Sequence, residues 1–65
     1  MKVIKVIKII KALTADGWYI DRQKGSHRQF CHPKKKGTVT VNGKESDDVW
    51  GSLLKSIEEQ SGLEF

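Results

Sequence analysis

Hydrophobic and basic residues repeat with a helical period along the first fifteen residues of the chain. At about 100° per residue, one half of a helical wheel collects the apolar side chains of Val3, Val6, Ile7, Ile9, Ile10 and Leu13. The opposite half collects Lys5, Lys8, Lys11 and Ala12. Strand alternation fails because the apolar residues come in adjacent pairs. The pattern therefore predicts an amphipathic helix over residues 2–15, and Gly17 suits a left-handed C-cap after it.

The middle of the chain is typical of a β-hairpin. Residues 18–23 are rich in aromatic and β-branched side chains, which favours a strand. Residues 24–26 form a short turn, and residues 27–32 form the returning strand, which ends at Pro33. Alternation places His27, Gln29 and Cys31 on one face of that strand and Arg28, Phe30 and His32 on the other.

A third strand and a second helix follow the hairpin. Residues 38–41 alternate strictly and lead into the turn signal Asn42-Gly43. Residues 49–60 predict a helix because Val49, Leu53 and Ile57 repeat at intervals of four, with Leu54 beside them. The expected N-terminal caps are Ser46, Asp47 or Asp48. Gly62 suits the C′ position, where Leu63 can fold back onto the helix.

Together these elements predict a single α+β domain over residues 1–65, in the order α-β-β-β-α. The three strands form an antiparallel meander, and both helices cover one face of it. Trp18 directly follows the predicted helix cap and is expected in the core, so that Tyr19 points outward. Cys31 is also expected to pack in the core.

The charge of the chain is unevenly distributed. Residues 1–41 hold ten Lys or Arg and two Asp, a net charge of +8. Residues 42–65 hold two Lys and six Asp or Glu, a net charge of −4. A basic body of this kind indicates either a polyanionic partner or a solvated surface on which the lysines are unevenly spread.

Several functional classes are disfavoured by composition. Lysine interrupts the N-terminal apolar residues too often for a secretory signal peptide, and no run approaches the roughly 20 residues of a membrane span. Cys31 is the one cysteine, so no intramolecular disulfide can form. Cys31, His27 and His32 are too few for a four-ligand zinc site. We expect a soluble, cytoplasmic protein with no metal, no cofactor and no membrane partner.

His27 is the main candidate for chemistry. It directly follows the Gly25-Ser26 turn and lies close in sequence to three cations, Arg22, Lys24 and Arg28. Metal-free cleavage of RNA needs a base for the ribose 2′-hydroxyl, an acid for the leaving 5′-oxygen and cations for the phosphorane. Gly25 and Ser26 can let a phosphate approach the backbone amides. The alternative is a histidine that positions substrate or packs against Trp18.

The remaining polar candidates have weaker signals. Strand alternation puts His32 on the opposite face from His27, so it is expected to stabilise a turn rather than act as a catalytic partner. Lys34, Lys35 and Lys36 form a cationic turn that either contacts phosphate or is solvated.

The chain resembles the HicA family of toxins from prokaryotic toxin–antitoxin systems, essentially from end to end. The resemblance is carried, in family order, by Gly17-Trp18, the segment from Arg22 to Phe30, His32-Pro33, the segment from Thr38 to Val41, the segment from Gly51 to Ile57, and Gly62-Leu63. It implies a fold like the double-stranded RNA-binding domain. It also implies a metal-independent endoribonuclease that cleaves mRNA and arrests translation, with His27 at the position of the family's catalytic histidine.

The resemblance also implies partners and a binding surface. A HicB-like antitoxin would block the site, and operator DNA would be reached only indirectly, through that antitoxin. The expected RNA-binding residues are Arg22, Lys24, Gly25, Ser26, Arg28, Lys34, Lys35, Lys36 and Lys44. Asp47 and Asp48 stand where double-stranded RNA-binding domains carry phosphate-spanning lysines, so RNA is expected at the turn around His27 instead.

One departure from the family pattern concerns the general acid. Many members carry a further histidine after the third strand, whereas here the segment reads Val41-Asn42-Gly43-Lys44. Lys44, Lys24 or solvent can serve as the acid. Two rival functions stay open: a noncatalytic RNA-binding module, and a degenerate toxin that only binds its antitoxin.

Overall fold

The computed structural model of the chain describes residues 2–65. Its elements are, in chain order, β1 (Val3–Lys5), α1 (Val6–Ala15), β2 (Tyr19–Lys24), β3 (His27–Cys31), β4 (Val39–Val41), β5 (Asp48–Trp50) and α2 (Gly51–Ser61). Strands β2, β3 and β4 form an antiparallel sheet in that order. The two helices and this three-stranded sheet confirm the predicted α+β class.

The hydrophobic core lies between the sheet and the two helices. Its buried members come from every layer: Val6, Ile9, Leu13, Trp18, Phe30, Val39, Val41, Val49, Leu54 and Ile57. Trp18 is 2% exposed and Tyr19 is 52% exposed, which confirms that only the tyrosine points outward. Cys31 was expected in the core, but it is half-buried outside the core cluster, because alternation along β3 turns it away from Phe30.

The first helix begins later than predicted, because a short strand takes the place of its first turn. Residues 3–5 are extended and pair antiparallel with β5, with Ile4 opposite Val49. Two β-branched residues favour the strand here, and Ile4 packs against the core from this position. Two free N–H groups of the first helical turn are satisfied by the loop between β4 and β5, since Val6 N donates to Asp47 O at 2.9 Å and Ile7 N donates to Glu45 O at 3.0 Å.

The predicted second helix also begins too early. Val49 lies in β5, and the N-cap of α2 is Trp50, which makes no side-chain capping bond. Capping by Ser46, Asp47 or Asp48 is therefore wrong; the Asp47 carboxylate instead accepts Lys44 N at 2.9 Å, and the Asp48 carboxylate binds Lys5 Nζ at 2.9 Å.

The buried face of α2 is offset from the predicted stripe. Leu54, Ile57 and Ser61 are buried, whereas Leu53 is 50% exposed. The C-terminal prediction is confirmed, because Gly62 is left-handed at φ 74° and donates to Glu58 O at 2.8 Å. Leu63 packs against the core as expected.

A β-bulge decides which side chains of β2 share a face with His27. The register pairs Tyr19 with Cys31, then shifts between Ile20 and Arg22, and so pairs Arg22 with Gln29 and Lys24 with His27. Directly paired residues point to the same side of a sheet. We call the side of the sheet away from the core the open face; it carries Tyr19, Arg22, Lys24, His27, Gln29, Cys31 and Thr40.

Candidate active site and nucleic-acid interface

A groove lies at the end of the sheet where the β2–β3 hairpin turns. Its volume is about 510 Å³, and its lining residues are Arg22, Gln23, Lys24, His27, Arg28, Gln29 and Thr40. Four of the predicted site residues, Arg22, Lys24, His27 and Arg28, therefore come together in one concavity. Volumes of this size are typical of sites for small ligands or parts of larger ones, roughly 300–1,000 Å³.

The turn itself presents His27 to solvent. Lys24 and His27 are paired across the two-residue loop Gly25-Ser26, which brings their Cβ atoms to within roughly 4.5–5.5 Å. Gly25 has a φ of +59°, a left-handed conformation that disfavours any residue with a Cβ. His27 is exposed, and within residues 2–65 its imidazole makes no hydrogen bond to another group.

Two cations of the groove, Arg22 and Lys24, form no salt bridge with the residues that the structure describes. The salt bridges among the described residues involve Lys2, Lys5 and Lys35, and none involves Arg22 or Lys24. Both residues are exposed on the open face beside His27. Their positive charges are thus available to an anion that enters the groove.

Arg28 differs from the other predicted cations because its side chain turns to the core side of β3. It is 9% exposed. Its Nη1 donates to Gly43 O at 2.8 Å and to Ser26 O at 3.4 Å. This guanidinium therefore ties the Gly25-Ser26 turn to the turn that follows β4.

Lys44 lies in that second turn. The register of β3 with β4 pairs Arg28 with Val41, so residues 42–44 leave the sheet at the same end as His27. The backbone of Lys44 is held by the Asp47 carboxylate at 2.9 Å, and the side chain is exposed. The structure thus brings Lys44 to the end of the sheet that carries the groove.

Lys34, Lys35 and Lys36 follow the opposite end of β3, whose last residue, Cys31, lies roughly 13 Å along the strand from His27 at about 3.3 Å per residue. Lys35 is engaged there by three groups: Asp16 Oδ2 at 2.6 Å, Ser61 O at 3.1 Å and the Trp18 ring, whose centroid is 6.0 Å away. The hydrogen bond from Lys35 lowers the pKa of the Asp16 carboxyl below its ordinary value. The structure does not bring this lysine turn together with the groove.

His32 stabilises that turn, as the sequence predicted. Its Nδ1 accepts the backbone N–H groups of Lys34 at 3.0 Å and Lys35 at 3.1 Å. The proton must then lie on Nε2, which donates to Asp16 O at 2.7 Å. Trp18 meets the same ring edge-on, with centroids 5.2 Å apart, so His32 takes no part in the groove.

Comparison with known families gives one decisive match. The family model described as the HicA toxin of bacterial toxin–antitoxin systems matches residues 7–63. The chain belongs to the HicA toxin family. This confirms the resemblance seen in the sequence and identifies the chain as a toxin-type component of such a system. No curated protein matches the chain.

Sequence reasoning missed two polar residues of this HicA-family groove. Gln29 and Thr40 are directly paired across β3 and β4 and line the groove beside His27. The sequence signal that could have identified Gln29 is strand alternation, which places it on the same face as His27. Thr40 is exposed between the buried Val39 and Val41, so the strict alternation of that strand also contained its position.

No three His, Cys, Asp or Glu side chains among residues 2–65 are arranged to hold a metal ion. Neither helix within the same range is long and apolar enough to cross a membrane.

Proposed function

We propose that this HicA-family toxin is a metal-independent endoribonuclease that cleaves mRNA in the cytoplasm and thereby inhibits translation, with His27 as the catalytic residue. The observation that carries the proposal is the placement of His27. It is an exposed imidazole at the hairpin end, across from Lys24, in a groove where Arg22 and Lys24 form no salt bridge within residues 2–65.

The chemistry is an internal transesterification. His27 removes the proton from a ribose 2′-hydroxyl, and the 2′-oxygen attacks the adjacent phosphorus. The bond from phosphorus to the 5′-oxygen breaks, and that oxygen takes a proton from an acid. The products are one fragment with a 2′,3′-cyclic phosphate and one with a 5′-hydroxyl. Arg22 and Lys24 stabilise the negative charge that grows on the phosphorane oxygens.

The candidates for the general acid are Lys24, Lys44 and water. Lys24 is paired directly with His27, and Lys44 lies in the neighbouring turn, whose backbone Arg28 ties to the hairpin. Either ammonium can donate a proton to the leaving oxygen. Replacing each in turn by Gln separates them, because loss of the acid slows cleavage of ordinary RNA more than cleavage of RNA with an activated leaving group.

The remaining predicted site residues receive different roles in this proposal. Gly25 and Ser26 shape the turn and offer backbone amides to phosphate. Arg28 holds the turn through Ser26 O and Gly43 O. Lys34, Lys35 and Lys36 lie too far along β3 to contact the scissile phosphate, so any RNA contact they make is with a distant part of the strand.

The partner proposed for this toxin is a HicB-like antitoxin that covers the groove, with operator DNA bound only through that antitoxin. A basic groove in which Arg22 and Lys24 form no salt bridge within residues 2–65 favours an acidic or carbonyl-rich partner surface. Co-purification of wild type and an Arg22→Glu/Lys24→Glu variant with the antitoxin tests this, since charge reversal should break the complex while the variant stays folded.

The deciding experiment compares wild type with His27→Ala, in growth and in cleavage of a defined mRNA in EDTA. His27 is exposed and makes no internal hydrogen bond in the described chain, so its loss should change the stability by less than about 0.5 kcal/mol. Lys8→Ala, an exposed change on α1, is the control and should cut RNA like wild type.

We expect His27→Ala to abolish growth arrest and cleavage, and mapped wild-type fragments to end in 2′,3′-cyclic phosphates. Full cleavage by folded His27→Ala would overturn the role of this residue. RNA that is shifted on a gel but never shortened by wild type would instead show a noncatalytic RNA-binding module. A stable antitoxin complex without toxicity would show a degenerate toxin.

A further inference from the structure

We infer that the open face of the sheet is a track for single-stranded RNA, on which Gln29 and Thr40 read a base beside the scissile phosphate and Tyr19 stacks on a base farther along. The inference rests on the proposed function, because it extends the same groove. It goes beyond that function by assigning the single-stranded form of the substrate, its path across the sheet and the residues that determine specificity.

The first support is a row of paired residues on the open face. Three cross-strand pairs follow one another from the hairpin turn: Lys24 with His27, Arg22 with Gln29, and Tyr19 with Cys31. Without the bulge at Asp21, Tyr19 would point to the opposite side from Arg22, because the two are an odd number of residues apart. The bulge therefore places a cationic end and an aromatic end on one surface.

The second support is the chemistry along that row. At the turn, Lys24 and Arg22 offer charge to phosphates. Beside them, Gln29 and Thr40 are directly paired and offer an amide and a hydroxyl, and neither side chain forms a hydrogen bond within residues 2–65. An amide that donates and accepts together is suited to reading a base edge.

The third support is the aromatic ring at the far end. Tyr19 is 52% exposed on the open face, paired with Cys31, which lies roughly 13 Å along the strand from His27 at about 3.3 Å per residue. Bases stack on exposed aromatic rings of a sheet only when they are unpaired. A stacking platform beyond a row of cations is the usual arrangement for single-stranded nucleic acid.

Duplex RNA fits this surface poorly. An A-form duplex is recognised through phosphates and 2′-hydroxyls, and its stacked bases offer nothing to Tyr19, Gln29 or Thr40. The start of α2 adds no phosphate contact, because the preceding residues Asp47 and Asp48 are acidic and Asp48 is already bound to Lys5 at 2.9 Å. The open face is therefore matched to a single strand.

Binding is best measured in the His27→Ala protein, so that RNA stays intact. Fluorescence anisotropy with a labelled 12-nucleotide single strand, and with the same sequence as a duplex, gives the two affinities. We expect Tyr19→Ala to weaken single-strand binding about 5- to 150-fold, the range for loss of one stacked base. Tyr19→Phe should bind like the parent, since it keeps the ring, and Lys8→Ala on α1 should also bind like the parent.

Salt dependence tests the cationic end separately. Arg22→Gln should reduce the slope of log affinity against log salt by about 0.7, as expected for loss of one phosphate contact on a single strand. Tyr19→Ala should leave that slope unchanged. Equal affinity for duplex and single strand, equal loss in Tyr19→Phe and Tyr19→Ala, or a larger effect of Lys8→Ala than of Arg22→Gln would each overturn the track.

The specificity role is tested in the chain that retains His27. Gln29→Ala and Thr40→Val should change which base stands next to the mapped cleavage sites, and an unchanged site profile would overturn that assignment. The proposed catalysis and the proposed RNA track can be contradicted independently of each other. Binding of single strands without any cleavage would overturn the proposed catalysis alone, whereas cleavage indifferent to Tyr19, Gln29 and Thr40 would overturn the track alone.

Discussion

Arg28 Nη1 donates a hydrogen bond of 2.8 Å to the carbonyl oxygen of Gly43, fifteen residues away in sequence. The same nitrogen lies 3.4 Å from Ser26 O. One nearly buried guanidinium thus joins the two turns at the end of the sheet that carries His27. The site residue with the least access to substrate is the one that fixes the shape of the turn.

Replacing Arg28 should therefore lower stability, although no partner carboxylate is lost. Arg28→Met keeps much of the apolar stem and leaves two carbonyls without their charged donor, which costs about 1–3 kcal/mol in the free energy of unfolding. Urea unfolding followed by far-UV circular dichroism measures it. Arg22→Met removes the same charge from an exposed position and should stay within about 0.5 kcal/mol of wild type. Equal losses of stability in Arg28→Met and Arg22→Met would contradict the role of Arg28 in joining the two turns.

Adjacent leucines in α2 give a second matched comparison. Leu54 is 3% exposed and belongs to the core cluster, whereas Leu53 is 50% exposed. Leu54→Ala should cost about 2–5 kcal/mol through lost burial and the cavity left behind, and Leu53→Ala should cost less than about 1 kcal/mol. Thermal unfolding of the two proteins measures the difference. A larger loss in Leu53→Ala would mean that the helix faces the core as the repeat at intervals of four suggested.

The apolar repeat that predicted α2 shows where a local sequence pattern no longer predicts the structure. The repeat of Val49, Leu53 and Ile57 is regular, but it counts a strand residue as helical. Val49 is buried because β5 pairs with β1, so it shares the core with Ile57 without sharing a helix face. Pairing between residues 3–5 and 48–50 joins opposite ends of the chain, and no local pattern contains it.

The candidate site was predictable to a different degree at each residue. Alternation correctly placed His27 and Gln29 on one face of β3, and His32, one residue beyond the strand, contacts Trp18 on the core side as predicted. The place of Tyr19 depends on a bulge at Asp21, which a period of two cannot reveal. The ion pair of Lys35 with Asp16 is a contact across 19 residues that the lysine run does not suggest.

The Asp16–Lys35 pair should make stability depend on acid. Lys35 lowers the pKa of Asp16 below its ordinary value of 3.8, so the stabilisation is complete above that value and is lost as the pH falls through the lower folded pKa. Asp16→Asn keeps an acceptor for the indole N–H of Trp18 and removes the titration. In urea unfolding between pH 7 and pH 2, wild type should have a larger free energy of unfolding than Asp16→Asn at neutral pH. The difference should shrink below about pH 3.8.

Glu58 does not affect the stability difference between wild type and Asp16→Asn. Its pKa is also lowered, by the hydrogen bond from Lys2 and by the backbone N–H of Phe65, but it titrates in both proteins and cancels in their difference. A gap that stays constant from neutral to strongly acidic pH would contradict the role of the Asp16 charge.

Gly25 and Gly37 separate the stability of a turn from its function. Both are left-handed, at φ +59° and +84°, and a Cβ added at either meets no atom within 4 Å. The cost of Gly→Ala is therefore backbone strain alone, about 1–2 kcal/mol at each site. Gly25 precedes His27 at the groove, whereas Gly37 lies in the loop before β4 at the other end of the sheet.

We expect Gly25→Ala and Gly37→Ala to lose similar stability in thermal unfolding, and only Gly25→Ala to slow RNA cleavage at a temperature where both are folded. Strain at Gly25 shifts the backbone that aims His27, while strain at Gly37 is absorbed far from the groove. Gly25→Asn should recover part of both properties, since asparagine tolerates the left-handed region better than alanine. Equal slowing of cleavage by the two alanine variants would show that the rate follows overall stability, and that the geometry of the turn beside His27 has no separate effect.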